Sequence, residues 1–103
     1  MIEILSTEPS RLEKINTIAT HYSMESQLEK AKEELNELMD ELENDINING
    51  YISLSGNTWS EVADVMIMCI QLTMQHGKED IVREQMEYKV NRQLERIARE
   101  EEN

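Results

Sequence analysis

Asp64 is the residue whose surroundings make it hardest to ignore. From Val62 to Met74 the chain reads Val-Ala-Asp-Val-Met-Ile-Met-Cys-Ile-Gln-Leu-Thr-Met, apolar on nearly every side of a helix. A carboxylate buried in such a segment needs a partner. Glu61 lies three residues earlier, on the same helical face one turn away. Upstream, Glu34 and Glu37 show the same spacing, and Glu41 extends their face. If the two helices pack antiparallel, E-x-x-E faces E-x-x-D and four carboxylates converge. Like charges repel unless a cation holds them. An all-oxygen set without Cys or His suits Mg²⁺, with Mn²⁺ as the alternative, rather than Zn²⁺. Two plainer explanations compete. Seven of the 13 residues from Glu33 to Asp45 are acidic, so the same spacing arises in a solvated acidic face. Glu61 is also placed to complete a capping box with Thr58.

The opposite charge comes from the last helical stretch. Lys89, Arg92, Arg96 and Arg99 form one stripe, and six of the ten basic residues fall between Lys78 and Arg99. They either pair with Glu87, Glu95 and Glu100 on a solvated face or, as Lys89 and Arg92, contact phosphate oxygens. A carboxylate–cation centre beside Lys and Arg suits phosphoryl chemistry. In that chemistry Glu37 or Glu41, where not fully used as a ligand, accepts the proton of an attacking water. No Ser-His-Asp or Cys-His pairing is evident. His21 and His76 fall at expected helix ends. Cys69 reads as a small core residue, and Met66, Met68 and Met74 as core or subunit interface. Trp59, at the end of an irregular segment, is placed to anchor that segment to the core.

Four helices are expected to position these groups. The first runs from about Pro9 to Tyr22, with Pro9 in the first turn and Leu12, Ile15, Ile18 and Ala19 as its apolar stripe. The second runs from about Met24 to Glu43, with Ser23 as N-cap and Leu28, Ala31, Leu35, Leu38 and Leu42 on one face. Residues 44–57 break the pattern. Ile46, Ile48, Ile52 and Leu54 allow either a small hairpin around Asn49-Gly50 or an ordered loop. The third helix spans about Trp59 to His76 and stops at Gly77. The fourth starts near Glu79, carries Val82, Met86, Val90, Leu94 and Ile97 on one face, and frays over 98–103. The expected fold is an all-α, four-helix, bundle-like single domain over residues 1–103. Because a chain this short can hardly surround the third helix, homo-oligomerisation is expected to complete it, as a dimer or tetramer.

Composition narrows the classes. The chain has 103 residues and a net charge of −12, with one Pro, three Gly, one Cys and no Phe. So little Pro and Gly argues against a loop-rich β fold. One cysteine excludes an internal disulfide and fits a reducing cytoplasm. No signal peptide is read at the N-terminus, and the apolar run of the third helix is too short to span a bilayer. The charge disfavours nucleic acid and anionic membranes as partners.

Taken in order, Gln27-x-x-Lys30-x-x-Glu33-Glu34-x-x-Glu37-Leu38, Glu61-Val-Ala-Asp64-Val65 and Lys89-Val-Asn-Arg92 resemble the MazG-like, all-α nucleoside triphosphate pyrophosphohydrolases, over roughly residues 15 to 97. The resemblance implies cleavage between the α and β phosphates to a monophosphate and pyrophosphate, with Mg²⁺ held by Glu34, Glu37, Glu61 and Asp64. It implies phosphate contacts from Lys89 and Arg92, sites near subunit contacts, and marks Gln27, which joins Trp59 as a candidate for the nucleoside side. The competing expectation is a non-enzymatic acidic helical interaction protein, in which Asp64 pairs with Lys or Arg instead of a cation.

Overall fold

The computed structural model describes residues 9–48, 51, 52, 54 and 56–102. It is helical apart from one short hairpin. Helix α1 is Pro9–His21, α2 is Met24–Asp45, α3 is Gly56–Gln75 and α4 is Glu79–Glu102. Strands β1 (Ile46–Ile48) and β2 (Tyr51–Ile52) pair antiparallel between α2 and α3, so the hairpin forms and not the loop. Ile46 pairs with Ile52 and Ile48 with Tyr51, with an irregularity between Ile46 and Ile48. The expected turn residues Asn49 and Gly50 lie outside the described residues, as does the N-terminal stretch before Pro9.

The helix ends follow local chemistry. Ser23 caps α2, its Oγ accepting from the Ser26 amide at 3.1 Å. Gly77 ends α3 with φ of +65°, where a side chain would be strained. Around it Lys78 N–H donates to the Thr73 carbonyl at 3.0 Å and Gly77 N–H to the Met74 carbonyl at 3.2 Å, a Schellman ending. The N-terminus of α3 departs from the expectation. The helix begins at Gly56, so Thr58 lies inside the first turn, and its fully buried hydroxyl donates to Asp45 at the end of α2. That link ties the two helices across the hairpin. At the other end Gln75 Nε2 donates to the carbonyls of Ala19 and Tyr22, at 3.1 and 3.0 Å, fastening α3 to the end of α1.

These links make α2 antiparallel to both α1 and α3. The helix pairs α2–α3 and α1–α3 form the packed part of the chain. Among the described residues its fully buried apolar side chains are Ile15, Ala19, Ala31 and Met68. That core is small, and its composition corrects one expectation. Helix α2 turns Gln27, Ala31 and Glu34 inward and leaves Leu28, Leu35 and Leu42 exposed, with Leu38 half-buried. The inward strip lies beside the leucine stripe, not on it. Cys69 is likewise exposed, not a core residue: among the described residues nothing covers that side of α3.

Helix α4 stands apart. It meets the rest of the chain sparsely, through α3, and none of its residues is buried. Val82, Met86, Val90, Leu94 and Ile97 are between 37% and 59% exposed. The radius of gyration is 16.7 Å, against about 13 Å for a compact domain of this length. The expected fraying over 98–103 is not seen through Glu102: Ala98, Arg99 and the glutamates are strong helix formers, and the helix continues. Among the described residues no helix is long and apolar enough to cross a membrane.

Candidate metal centre

The antiparallel register of α2 and α3 sets Glu34 and Glu37 opposite Glu61 and Asp64. One carboxylate oxygen from each of Glu34, Glu61 and Asp64 lies within 4.8 Å of the others. Glu37 lies close enough for the charges of Glu34 and Glu61 to act on its carboxyl. All four expected ligands therefore gather at one place, two from each helix. Glu41 is half-buried about one turn farther along α2 and is not among the converging groups.

The centre has more negative charge than local partners. Glu34 is 7% exposed, and its Oε1 accepts from Lys30 Nζ at 3.1 Å. Its Oε2 is buried without a hydrogen-bond partner, and so is Glu61 Oε2. An unsatisfied buried acceptor costs about 1–3 kcal/mol, more when charged, so one on each of two converging carboxylates calls for a cation or protons. Burial, then the neighbouring charges of Glu34 and Glu61, holds the Glu37 carboxyl above its usual range. Lys30 is held above its usual range by its hydrogen bond to Glu34, then by the charge of Glu33. Among the described residues no Lys or Arg lies within 4.0 Å of Asp64, so the ion pair that an interaction-protein role requires is not formed in the chain.

The donor set fits a hard divalent cation. Oxygens around Mg²⁺ at about 2.1 Å stand roughly 3–4 Å apart, and the observed spacing is close enough for side-chain rotation to reach it. Thr58 donates to Asp45, and Glu61 offers an oxygen to the converging carboxylates.

Beside this centre, toward the start of α2, lies a cleft of about 350 Å³ lined by Ile18, Tyr22, Ser26, Gln27, Lys30, Met68 and Gln71. Gln27 is only 3% exposed, and its Oε1 is buried without a partner. Of the two nucleoside candidates the structure places Gln27 in this cleft. Trp59 is 58% exposed at the opposite end of α3, about 13 Å along the helix from Met68. Gln71 was not singled out by sequence, and Tyr22, just past the end of α1, was named there only as the end of the first helix. Lys89 and Arg92 are not brought to the carboxylates within one chain. They sit on exposed α4, where the Arg92 guanidinium lies 5.5 Å from the Tyr88 ring centroid.

No known protein family matches the chain, and neither a curated protein nor a solved structure is detectably similar to it.

Proposed function

We propose that the chain is a divalent-cation-dependent nucleoside triphosphate pyrophosphohydrolase of the MazG-like kind, acting as a homo-oligomer. The observation that carries this is the convergence of Glu34, Glu61 and Asp64, in which Glu34 and Glu61 each keep one buried oxygen, Oε2, without a hydrogen-bond partner. A protein using this face only for solubility would leave it in water. Here α2 turns it inward and leaves its leucines outside.

Glu34, Glu61 and Asp64, with Glu37, would hold Mg²⁺ or Mn²⁺. Bound there, the cation would neutralise phosphate charge and lower the pKa of water. Glu37, where it is not fully used as a ligand, would serve as the general base. It accepts the proton of the water that attacks the α phosphorus, the bond to the bridging oxygen breaks, and pyrophosphate departs. The cleft at Gln27 takes the nucleoside, with Gln27 Oε1 as an acceptor for a base or sugar donor.

Association supplies what a single chain lacks. The chain exposes 8245 Å², about 2,000 Å² more than the roughly 6,000 Å² expected for its mass. A standard interface takes about 800 Å² from each partner. The apolar stripe of α4 and the outer leucines of α2 are the surfaces to be covered. Residues 88–99 carry four basic residues and one acidic one, whereas α2 carries nine acidic and two basic. Although α4 as a whole carries eight acidic and five basic residues, packing its 88–99 segment on α2 of another copy joins opposite charges and moves Lys89 and Arg92 toward a carboxylate centre.

Purified protein is to be incubated with a panel of NTPs and dNTPs and Mg²⁺ or Mn²⁺, with separation of products and Asp64→Asn as control. Monophosphate plus pyrophosphate, lost in the variant, is expected. Diphosphate plus orthophosphate would reject the cleavage position. No turnover together with no cation binding would favour an acidic helical interaction protein, for which the exposed α4 stripe is the supporting observation.

A further inference from the structure

Lys30 occupies a position that neither the carboxylates nor the cleft explains alone. Its Nζ lies 3.1 Å from Glu34 Oε1 and 3.7 Å from Glu33 Oε2. The same side chain lines the cleft with Gln27, Tyr22 and Gln71. It is thus the side chain common to both, and among the described residues it is the cation paired with the centre. Lys30 is 54% exposed, so its hold on Glu34 is a screened, weak contact and readily exchanged. Glu34 is different: nine-tenths buried, with one oxygen on Lys30 and the other without a partner.

We propose that Lys30 is an internal counter-ion displaced from Glu34 by the divalent cation, after which its ammonium grips a phosphate of the ligand in the adjoining cleft. The proposal rests on the cation-site reading above. Before the cation arrives, Lys30 offsets one of the converging negative charges. Once a doubly charged ion engages Glu34, Lys30 faces repulsion from that ion and loses part of the attraction that held it. Its four-carbon stem leaves the ammonium free to turn toward the cleft, where a phosphate offers a stronger, charge-assisted hydrogen bond. Cation binding therefore comes first and prepares the phosphate site. Lys30 acts here as a ligand-binding residue and, with respect to the cation, as a competitor.

This gives Lys30 two effects of opposite sign, which a merely structural lysine would not have. Lys30→Gln is expected to bind Mn²⁺ alone about five- to tenfold more tightly than the parent, because one positive charge near a divalent ion is removed. With Mn²⁺ saturating, the same variant is expected to bind the Mn²⁺ complex of inorganic tripolyphosphate about tenfold more weakly. Lys30→Arg keeps the charge and should keep both parental values. Both quantities are read by calorimetric titration on the full chain, without turnover. Unchanged or weaker Mn²⁺ binding by Lys30→Gln overturns the proposal, as does unchanged tripolyphosphate binding. So does a Lys30→Arg variant that behaves like Lys30→Gln. If the parent binds no Mn²⁺ at all, the cation-site reading fails and this proposal with it. If the parent binds Mn²⁺ and the variants do not differ, only the role of Lys30 falls.

Discussion

Replacing Glu61 with Gln separates a cation centre from a structural acidic face, because the two give opposite signs. Glu61 belongs to the cluster: Glu34 and Asp64 offer oxygens within 4.8 Å of its own, and its charge acts on the Glu37 carboxyl. Two unit charges at the 4.8 Å limit of that cluster repel by about 1 kcal/mol at the dielectric of water and about 3 kcal/mol at an effective value near 20. Glu61 is half-buried, so solvent screening favours the lower figure. Glutamine keeps the volume, removes the charge and offers an amide donor to the orphaned Glu34 Oε2. In EDTA the Glu61→Gln variant should therefore gain about 1–2 kcal/mol, a rise in Tm of roughly 5–10 °C for a domain of this size. With Mg²⁺ at a hundred times its Kd, the parent gains about 2.7 kcal/mol, a rise of roughly 10–20 °C, and the variant gains almost nothing. The order of the two melting points thus inverts between EDTA and Mg²⁺. Thermal melts followed by circular dichroism at fixed protein concentration measure both. A variant that melts lower in EDTA and keeps its Mg²⁺ response would refute the reasoning.

The raised proton affinity of Glu37 makes cation-free stability depend on pH. The folded state holds its proton above the ordinary value of 4.5, so stability should fall as pH rises through the interval above that value. Urea unfolding in EDTA checks this, and Mg²⁺, which displaces the proton, should flatten the dependence. Leu94→Asp, in the exposed stripe of α4, should reduce the sedimenting species to a monomer; an unchanged sedimentation coefficient would place the interface elsewhere. Thr58→Val removes the hydroxyl that donates to Asp45 and should destabilise the fold by about 1–2 kcal/mol in urea. Because that link holds α2 and α3 in register, the variant should also bind Mn²⁺ more weakly.

The helices themselves were legible, because their signals are local. Ser23 caps α2 and Gly77 ends α3 through bonds that span a few residues. The i, i+3 spacing of Glu34 with Glu37, and of Glu61 with Asp64, put each pair on one face whatever packed against it. The antiparallel approach that unites the two pairs was a condition in the sequence and is a fact in the structure, fixed by Thr58–Asp45 at one end and by the short hairpin. The start of α3 was misread because the Thr58–Glu61 spacing satisfies a capping box equally well. The acceptor that hydroxyl meets, Asp45, lies 13 residues away along the chain and is brought near only in space.

What the sequence determined by itself is the set of helices, the acidity, and which carboxylates share a turn. What only the tertiary structure decided is which side of each helix faces inward. The leucines of α2 and the stripe of α4 obey a helical period, and that period reports that a face leaves water, not which chain covers it. In this protein α2 spends its inward side on Gln27, Ala31 and Glu34, and Leu28, Leu35 and Leu42 remain outside. Apolar burial is non-directional and adds up by area, so it is satisfied equally within a chain or between copies. A buried carboxylate is not so tolerant: it needs a charge or a donor within a few ångströms. Its partners other than Lys30, one turn from Glu34 on the same helix, were therefore decided by the register of α2 against α3.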